Sequence, residues 1–302
     1  MKTIVIPTDF SETADNALNY SIGLAKITGA KLVLLHAYHF PVSNDDLSFQ
    51  ANAESDFEET NRQILKTLKE KVLINNPGVE MEVYLKLGFA GDIIVEAAEE
   101  KKADLIVIGI SETGVFGETI LGSNAVDAIK NSVTPILIVP LKAKFRKPSK
   151  ILFATDYSEL KSDQPLNMLV DFVNYFKAHV YVVNIMKEGE KTPSKKVAAI
   201  INVKRIVRKV DHSFYYPISE DVVDGINEFV SQSDSEIVAM IPHKHNIFYR
   251  LFNLSITKRM AFHSTVPLLA LPENNINYES TGKFESTAQL EFSNLSMGLQ
   301  NF

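Results

Sequence analysis

The amino-acid sequence predicts an α/β protein made of two tandem open sheets, each mostly parallel, packed as a pseudo-dimer. Three observations lead to it: a motif that recurs halfway along the chain, apolar runs too continuous for half-exposed strands, and helical stripes between those runs. The recurring motif is Ile4-Val5-Ile6-Pro7-Thr8-Asp9-Phe10-Ser11-Glu12, which returns as Ile151-Leu152-Phe153-Ala154-Thr155-Asp156-Tyr157-Ser158-Glu159. Internal self-similarity of this kind settles an architecture before individual elements are assigned.

The later elements repeat in the same order. Leu32 to Ala37 corresponds to Val180 to Ile185, and Val133 to Pro140 corresponds to Val266 to Pro272. Between them Asp104 to Gly109 pairs with Ser235 to Met240, again nearly all apolar. Such runs suit strands covered on both faces of a parallel sheet. The first helix is expected after Ser11, a good N-cap, with Ala14, Leu18, Ile22 and Ala25 on one face and Gly29 at its end. Ile93, Ile94, Ala97 and Ala98 place a similar stripe after Gly91-Asp92, and Ile226, Phe229 and Val230 repeat it in the second half. Each half therefore reads as a β-α-β-α open sheet.

A first domain is expected over 1–141 and a second over 149–272, separated by the basic connector Lys142-Ala143-Lys144-Phe145-Arg146-Lys147-Pro148-Ser149. Residues 273–302 are rich in Asn, Ser, Thr and Glu and lack a sustained period, which reads as a flexible or docked tail. Its Phe284, Leu290, Phe292, Leu295 and Phe302 are enough to cover a neighbouring surface. The final strands, Ile136 to Val139 and Leu268 to Leu271, are apolar enough to form the interface between the halves.

Bulk properties exclude several classes. A chain of 302 residues with 45% hydrophobic and 23% charged residues can bury two cores without disulfides. The absence of cysteine removes thiolate nucleophiles and most zinc sites. No apolar run approaches the roughly 20 residues of a membrane span, and the N-terminal run broken by Pro7 and Asp9 does not read as a signal peptide. A cytoplasmic protein without a membrane partner is the expectation. A net charge of −6 and the acidic stretch from Asp45 to Glu59 argue against general nucleic-acid binding, although a basic patch is possible around Lys195 to Lys209.

In an open parallel sheet, ligands bind beyond the carboxyl ends of the strands. Those ends are Pro7-Thr8-Asp9, His36-Ala37 and Ile108-Gly109, followed by a loop from Ile110 to Asn124. Gly109, Gly114, Gly117 and Gly122 put four of the 13 glycines in this segment. Gly122-Ser123-Asn124 precedes the helical pattern Val126, Ile129 and Lys130. Glycines let backbone N–H groups approach phosphate oxygens, and a helix N-terminus favours the same anion.

In these residues the chain resembles the universal stress protein family, whose ATP-binding members carry G-x2-G-x9-G-[ST] after the fourth strand. Gly109, Gly122 and Ser123 fit that pattern, and Glu112 stands at the second glycine. The resemblance covers 1–140 well and 150–272 more loosely. It implies an adenine nucleotide α-hydrolase-like, Rossmann-type fold that binds ATP or AMP; Glu112 would repel the phosphates unless Mg²⁺ or solvent intervenes. It further implies that Asp9 accepts hydrogen bonds from the ribose or adenine edge and that Pro7, Thr8 and Ala37 line the base pocket. Gly109, Gly122, Ser123 and Asn124 then hold ribose and phosphate, and Ile108 and Glu112 complete the set. The second half keeps Asp156 but has no glycine from Met240 to Thr257, so the resemblance implies binding in the first half only.

Simpler readings stand beside these. Asp9 could serve only the helix N-terminus, and the glycine-rich stretch could be a surface loop. His36 reads as a packed, hydrogen-bonded residue. His243, His245 and His263 lack the cysteine or third acid of a metal site, and the run Phe248, Tyr249, Leu251, Phe252 and Leu254 reads as core packing or a partner surface. No nucleophile, paired carboxylates or Walker lysine points to an enzyme beyond slow ATP hydrolysis. Two functions remain: a nucleotide-binding stress-response module, or a nucleotide-independent tandem scaffold. Either could act as a homodimer, as an intramolecular pseudo-dimer or with an unknown protein partner.

Overall fold

Apolar runs with no polar alternation need cover on both sides, and the first strand has it. In the computed structural model Ile4 and Ile6 lie in one core cluster and Val5 in another, on opposite faces of the sheet. The structure describes residues 1–39, 47–112, 119–120, 127–128, 130–190, 196–242 and 266–273, and the side chains at 47–53, 111–112 and 119–120 are not among those described.

The first half runs β1 (Thr3–Pro7), α1 (Glu12–Thr28), β2 (Lys31–Tyr38), α2 (Leu47–Asn75), β3 (Met81–Leu87), α3 (Ala90–Glu100), β4 (Leu105–Glu112), β5 (Thr119–Ile120) and β6 (Ile136–Pro140). The second runs β7 (Lys150–Ala154), α4 (Gln164–Phe176), β8 (His179–Val183), α5 (Val197–Val207), β9 (His212–Tyr215), α6 (Val222–Ser233), β10 (Ile237–Met240) and β11 (Leu268–Ala270). Helix α1 begins and ends as its sequence dictates. Ser11 Oγ accepts from Ala14 N at 3.3 Å, and Gly29 turns left-handed at φ 70°, its N–H donating to Ala25 O at 2.8 Å. The 29-residue α2, which carries most of the acidic stretch, and strands β3 and β9 are additions to what the sequence pattern foretold.

The strands form one continuous path, β3-β2-β1-β4-β6-β11-β10-β7-β8-β9, with β5 paired to β4 off that path. Every rung on the path is parallel except the central one, where β6 and β11 run antiparallel with Leu137 opposite Leu269 and Ile138 opposite Leu268. The two halves thus meet through their final strands, with strand order mirrored about the junction. Both core clusters run across it: one gathers Leu137, Leu269 and the inner faces of α1 and α4, the other Ile138, Ala270, α3 and α6.

Hydrogen-bonded register corrects one detail of the sequence repeat. Ile4 pairs with Leu105 and its counterpart Ile151 with Ile237. Gly109 therefore matches Ile241, not Met240, and Asp104 matches Glu236. The acidic pair confirms the shift: Asp104 Oδ2 accepts from Lys2 N and Thr3 N, while Glu236 Oε2 accepts from Ser149 N and Lys150 N.

The connector is docked onto α1. Asn16 Nδ2 donates to Pro140 O at 2.8 Å and Ala143 O at 3.0 Å. The Phe145 ring lies edge-on to Tyr20 at 5.1 Å and fills the notch over Gly23, where a Cβ would stand 2.2 Å from it. Among the described residues no helix is long and apolar enough to cross a membrane.

The junction makes a measurable prediction. Leu137 and Leu269 are both fully buried, so either one changed to alanine should cost about 2–5 kcal/mol in urea unfolding. Because they are opposed across the sheet, the double variant should depart from additivity by at least ~0.5 kcal/mol. Additive losses would mean that the halves do not share this core.

Candidate functional site

The end of β1 is shaped by its own side chains. Thr8 Oγ1 accepts from Phe10 N at 3.0 Å, and Asp9 Oδ1 accepts from Ser11 N at 3.0 Å. Together they hold Phe10 in the left-handed region at φ 63°, a conformation that costs a non-glycine residue about 1–3 kcal/mol unless its surroundings fix it. Thr8 N donates to Leu35 O at 2.7 Å, tying the turn to β2. His36 Nδ1, necessarily the protonated nitrogen against a carbonyl, donates to Thr8 O at 2.7 Å. Its ring packs on Phe10 with centroids 4.6 Å apart.

Gly109, within β4, sits under a severe constraint. A Cβ there would lie 2.0 Å from the Thr13 carbonyl oxygen and 2.5 Å from its carbon. Backbone contact this close is open only to glycine. The first turn of α1 therefore sits directly against the strand ends, bringing the positive end of its dipole with it.

These constraints leave a crevice of about 260 Å³ lined by Pro7, Thr8, Asp9, Leu35, Ala37, Ile108 and Gly109, with Thr13 and Ala14 of α1 and Ala90 and Ile94 of α3. Six residues singled out from the sequence, Pro7, Thr8, Asp9, Ala37, Ile108 and Gly109, come together here from the carboxyl ends of β1, β2 and β4. Asp9 Oδ1 is engaged by Ser11 N and Oγ, whereas Oδ2 has no hydrogen-bond partner among the described residues. Gly122, Ser123 and Asn124 lie outside the described residues, as do His243, His245, His263, the run 248–254 and residues 274–302. Glu112 belongs to β4 rather than to a loop: its backbone pairs with Thr119, and Ser111 with Ile120.

The model of the Universal stress protein family matches residues 1–140. A universal stress protein of Methanocaldococcus jannaschii is 32% identical over 152 residues, covering 49% of this chain and 84% of that protein. One from Thermus aquaticus is 35% identical over 142 residues, covering 46% of this chain and 98% of its own. The chain belongs to the universal stress protein family. A solved universal stress protein from Archaeoglobus fulgidus covers 90% of this chain and 98% of its own at a TM-score of 0.66 and 17% identity, which extends the likeness of fold to the second half.

The second half of this universal stress protein repeats the strand-end turn. Thr155 Oγ1 accepts from Tyr157 N at 3.1 Å, Asp156 Oδ1 from Ser158 N at 2.9 Å, and Tyr157 has φ 53°. Asn184 takes the place of His36, donating from Nδ2 to Thr155 O at 2.8 Å. The space around the turn differs. Ile241 stands at the position of Gly109 and is buried, α4 starts only at Gln164, and Ile185 replaces Ala37. The Ile185 Cγ2 and Cδ1 atoms come within 3.0 and 3.1 Å of where a Cβ on Gly225 would stand, so α6 closes directly over that side chain.

One arrangement escaped the sequence reading. His179 Nδ1 lies 2.8 Å from Asp211 Oδ2 and its Nε2 lies 3.1 Å from Ser213 Oγ. His179 opens β8, Ser213 lies in β9 and Asp211 just precedes it, at the end opposite the strand carboxyl termini, and only cross-strand register reveals them. The Asp211 side chain is 81% exposed, so the arrangement braces the edge strand in solvent and encloses no substrate.

Gly109 gives a prediction separate from any ligand. Gly109→Ala should lower stability by about 1–3 kcal/mol, the usual cost of overpacking, read as a fall in the urea midpoint. An unchanged midpoint would show that α1 retreats without cost.

Proposed function

We propose that this protein binds an adenine nucleotide, ATP or AMP, in the crevice of its first half, and that the second half, 149–272, does not. The observation behind this is the convergence of Pro7, Thr8, Asp9, Ala37, Ile108 and Gly109 on one cavity beside the first turn of α1. A volume of about 260 Å³ is near the roughly 300 Å³ lower bound of small-molecule clefts, a fit for a nucleoside with its phosphates outside. The apolar Ala37, Ile94 and Ile108 suit the faces of a flat base. Asp9 Oδ2 is the acceptor for ribose hydroxyls or a base N–H. By the family resemblance, Gly122, Ser123 and Asn124, which lie outside the described residues, would hold the phosphates.

Among the described residues no group of three His, Asp or Glu side chains is arranged to hold a metal. Mg²⁺ would then be carried by the phosphates and water, its usual mode with nucleotides. First-half specificity follows from side-chain volume: Ile185 and Ile241 occupy the second half where Ala37 and Gly109 leave space. Ligand occupancy would change the surface offered to a partner during stress.

Titration calorimetry with ATP and with AMP, with and without Mg²⁺, tests this reading. Asp9→Ala and Ala37→Ile should each weaken binding about tenfold or more, a loss of ~1.4 kcal/mol, whereas Ile185→Ala should leave it unchanged. Gly109 variants are unsuitable because they disturb α1. A wild-type chain that takes up neither nucleotide, or variants that bind like wild type, would return the protein to the scaffold reading.

A further inference from the structure

The connector between the halves alternates in exposure from Lys142 to Arg146. Ala143 and Pro148 are buried and Phe145 is half-buried, while Lys142, Lys144, Arg146 and Lys147 are exposed. Anchoring Ala143 and Phe145 against α1 leaves Lys142, Lys144 and Arg146 on the outer side of the connector. These three cations line a pocket of about 240 Å³ with Tyr20, Glu236, Val266 and Pro267. Lys144 and Arg146 form no ion pair with a carboxylate among the described residues.

The floor of the pocket supplies a second observation. Tyr20 is only 2% exposed, yet its hydroxyl has no hydrogen-bond partner among the described residues. Buried hydroxyls are nearly always satisfied, and an unsatisfied one costs about 1–3 kcal/mol. Burial raises the pKa of this phenol, with Glu236 adding to the effect and Arg146 opposing it, so it remains a donor. Among the described residues Glu236 is the one carboxylate in the lining, and its oxygens already accept from Ser149 N, Ser149 Oγ and Lys150 N at 3.1, 2.9 and 2.7 Å. Among the described residues, Lys144, Arg146 and a protonated hydroxyl face one committed carboxylate, leaving an excess of positive charge.

We infer that this pocket between the connector, α1 and the start of β11 is a binding site for a small phosphate-bearing anion, held by Lys144, Arg146 and the Tyr20 hydroxyl. A phosphate group matches the site because it accepts from several directions at once and carries close to two charges, which the fork of an arginine and the point charges of lysines complement. Val266 and Pro267 give the pocket an apolar wall, and its volume exceeds what the phosphate group itself needs. Free phosphate and the monoester of a small organic molecule therefore share the chemistry. The site is separate from the first-half crevice and does not depend on nucleotide binding there.

The test is a titration of the full-length protein in chloride buffer with inorganic phosphate and with phenyl phosphate, followed by ³¹P line broadening. The Lys144→Ala/Arg146→Ala double variant, altered only at exposed positions, should bind either probe at least tenfold more weakly. Tyr20→Phe should weaken binding severalfold without lowering the urea midpoint, and Ala37→Ile should bind like wild type. Tighter binding of phenyl phosphate would assign the pocket to a monoester and equal binding to the free anion, both in support. Undiminished binding in the double variant, or loss of binding in Ala37→Ile alone, would overturn the inference and move the anion to the nucleotide crevice.

Discussion

The rest of the structure depends on one close contact, between the backbone of Gly109 and the Thr13 carbonyl. A side chain at position 109 of β4 would begin 2.0 Å from that oxygen, so α1 can press its first turn against the strand only where β4 carries a glycine. The turn after β1 is fixed to suit. Thr8 and Asp9 hold Phe10 left-handed, and His36 secures the Thr8 carbonyl from the neighbouring strand. The result is a cavity with a helix N-terminus at one wall, a carboxylate at its lip and small residues along β2. In the other half the same turn survives without the same space, because Ile241 and Ile185 fill it and α4 begins farther along the chain.

The antiparallel junction of β6 and β11 makes one protein of two halves. Both core clusters pass through it, and the connector lies along α1 instead of bridging through solvent. Docking Ala143 and Phe145 has an electrostatic consequence. It gathers the connector's cations on one side and leaves them facing the buried Tyr20, in a chain whose net charge is −6. The strand-end crevice and the connector pocket thus arise from different constraints, one from backbone contact at a glycine and the other from the alternation of buried and exposed residues from Lys142 to Arg146.

Much of this was legible in the sequence. Fully buried strands such as β1, β4 and β6 announce themselves as unbroken apolar runs, and α1 carries both of its stop signals in Ser11 and Gly29. Edge strands were harder: β3 and β9 expose part of each residue, so Met81–Leu87 and His212–Tyr215 mix polar and apolar side chains without a clear period. Helix α2 was obscured because an acidic surface hides its sparse buried positions, Asn61, Leu65 and Val72. The register of β10 slipped by one because Ser235 and Glu236 are both polar, and only the backbone amides that Glu236 accepts fix its place. Gly109 was singled out for the access to phosphate that its spacing suggests, and the structure adds helix packing that no local pattern encodes. The connector read as a linker because the partners of Phe145, Tyr20 and Gly23, lie more than a hundred residues away in the sequence.

The most direct measurement of the central claim is photo-crosslinking of the full-length protein with an azido-adenine nucleotide, followed by peptide mapping. If the first-half crevice is the adenine site, label should appear on peptides containing residues 7–9, 37 or 108–109, should be competed away by unlabelled ATP or AMP, and should be missing from peptides spanning 151–242. Competable label on the second half, equal to or greater than that on the first, would contradict the account.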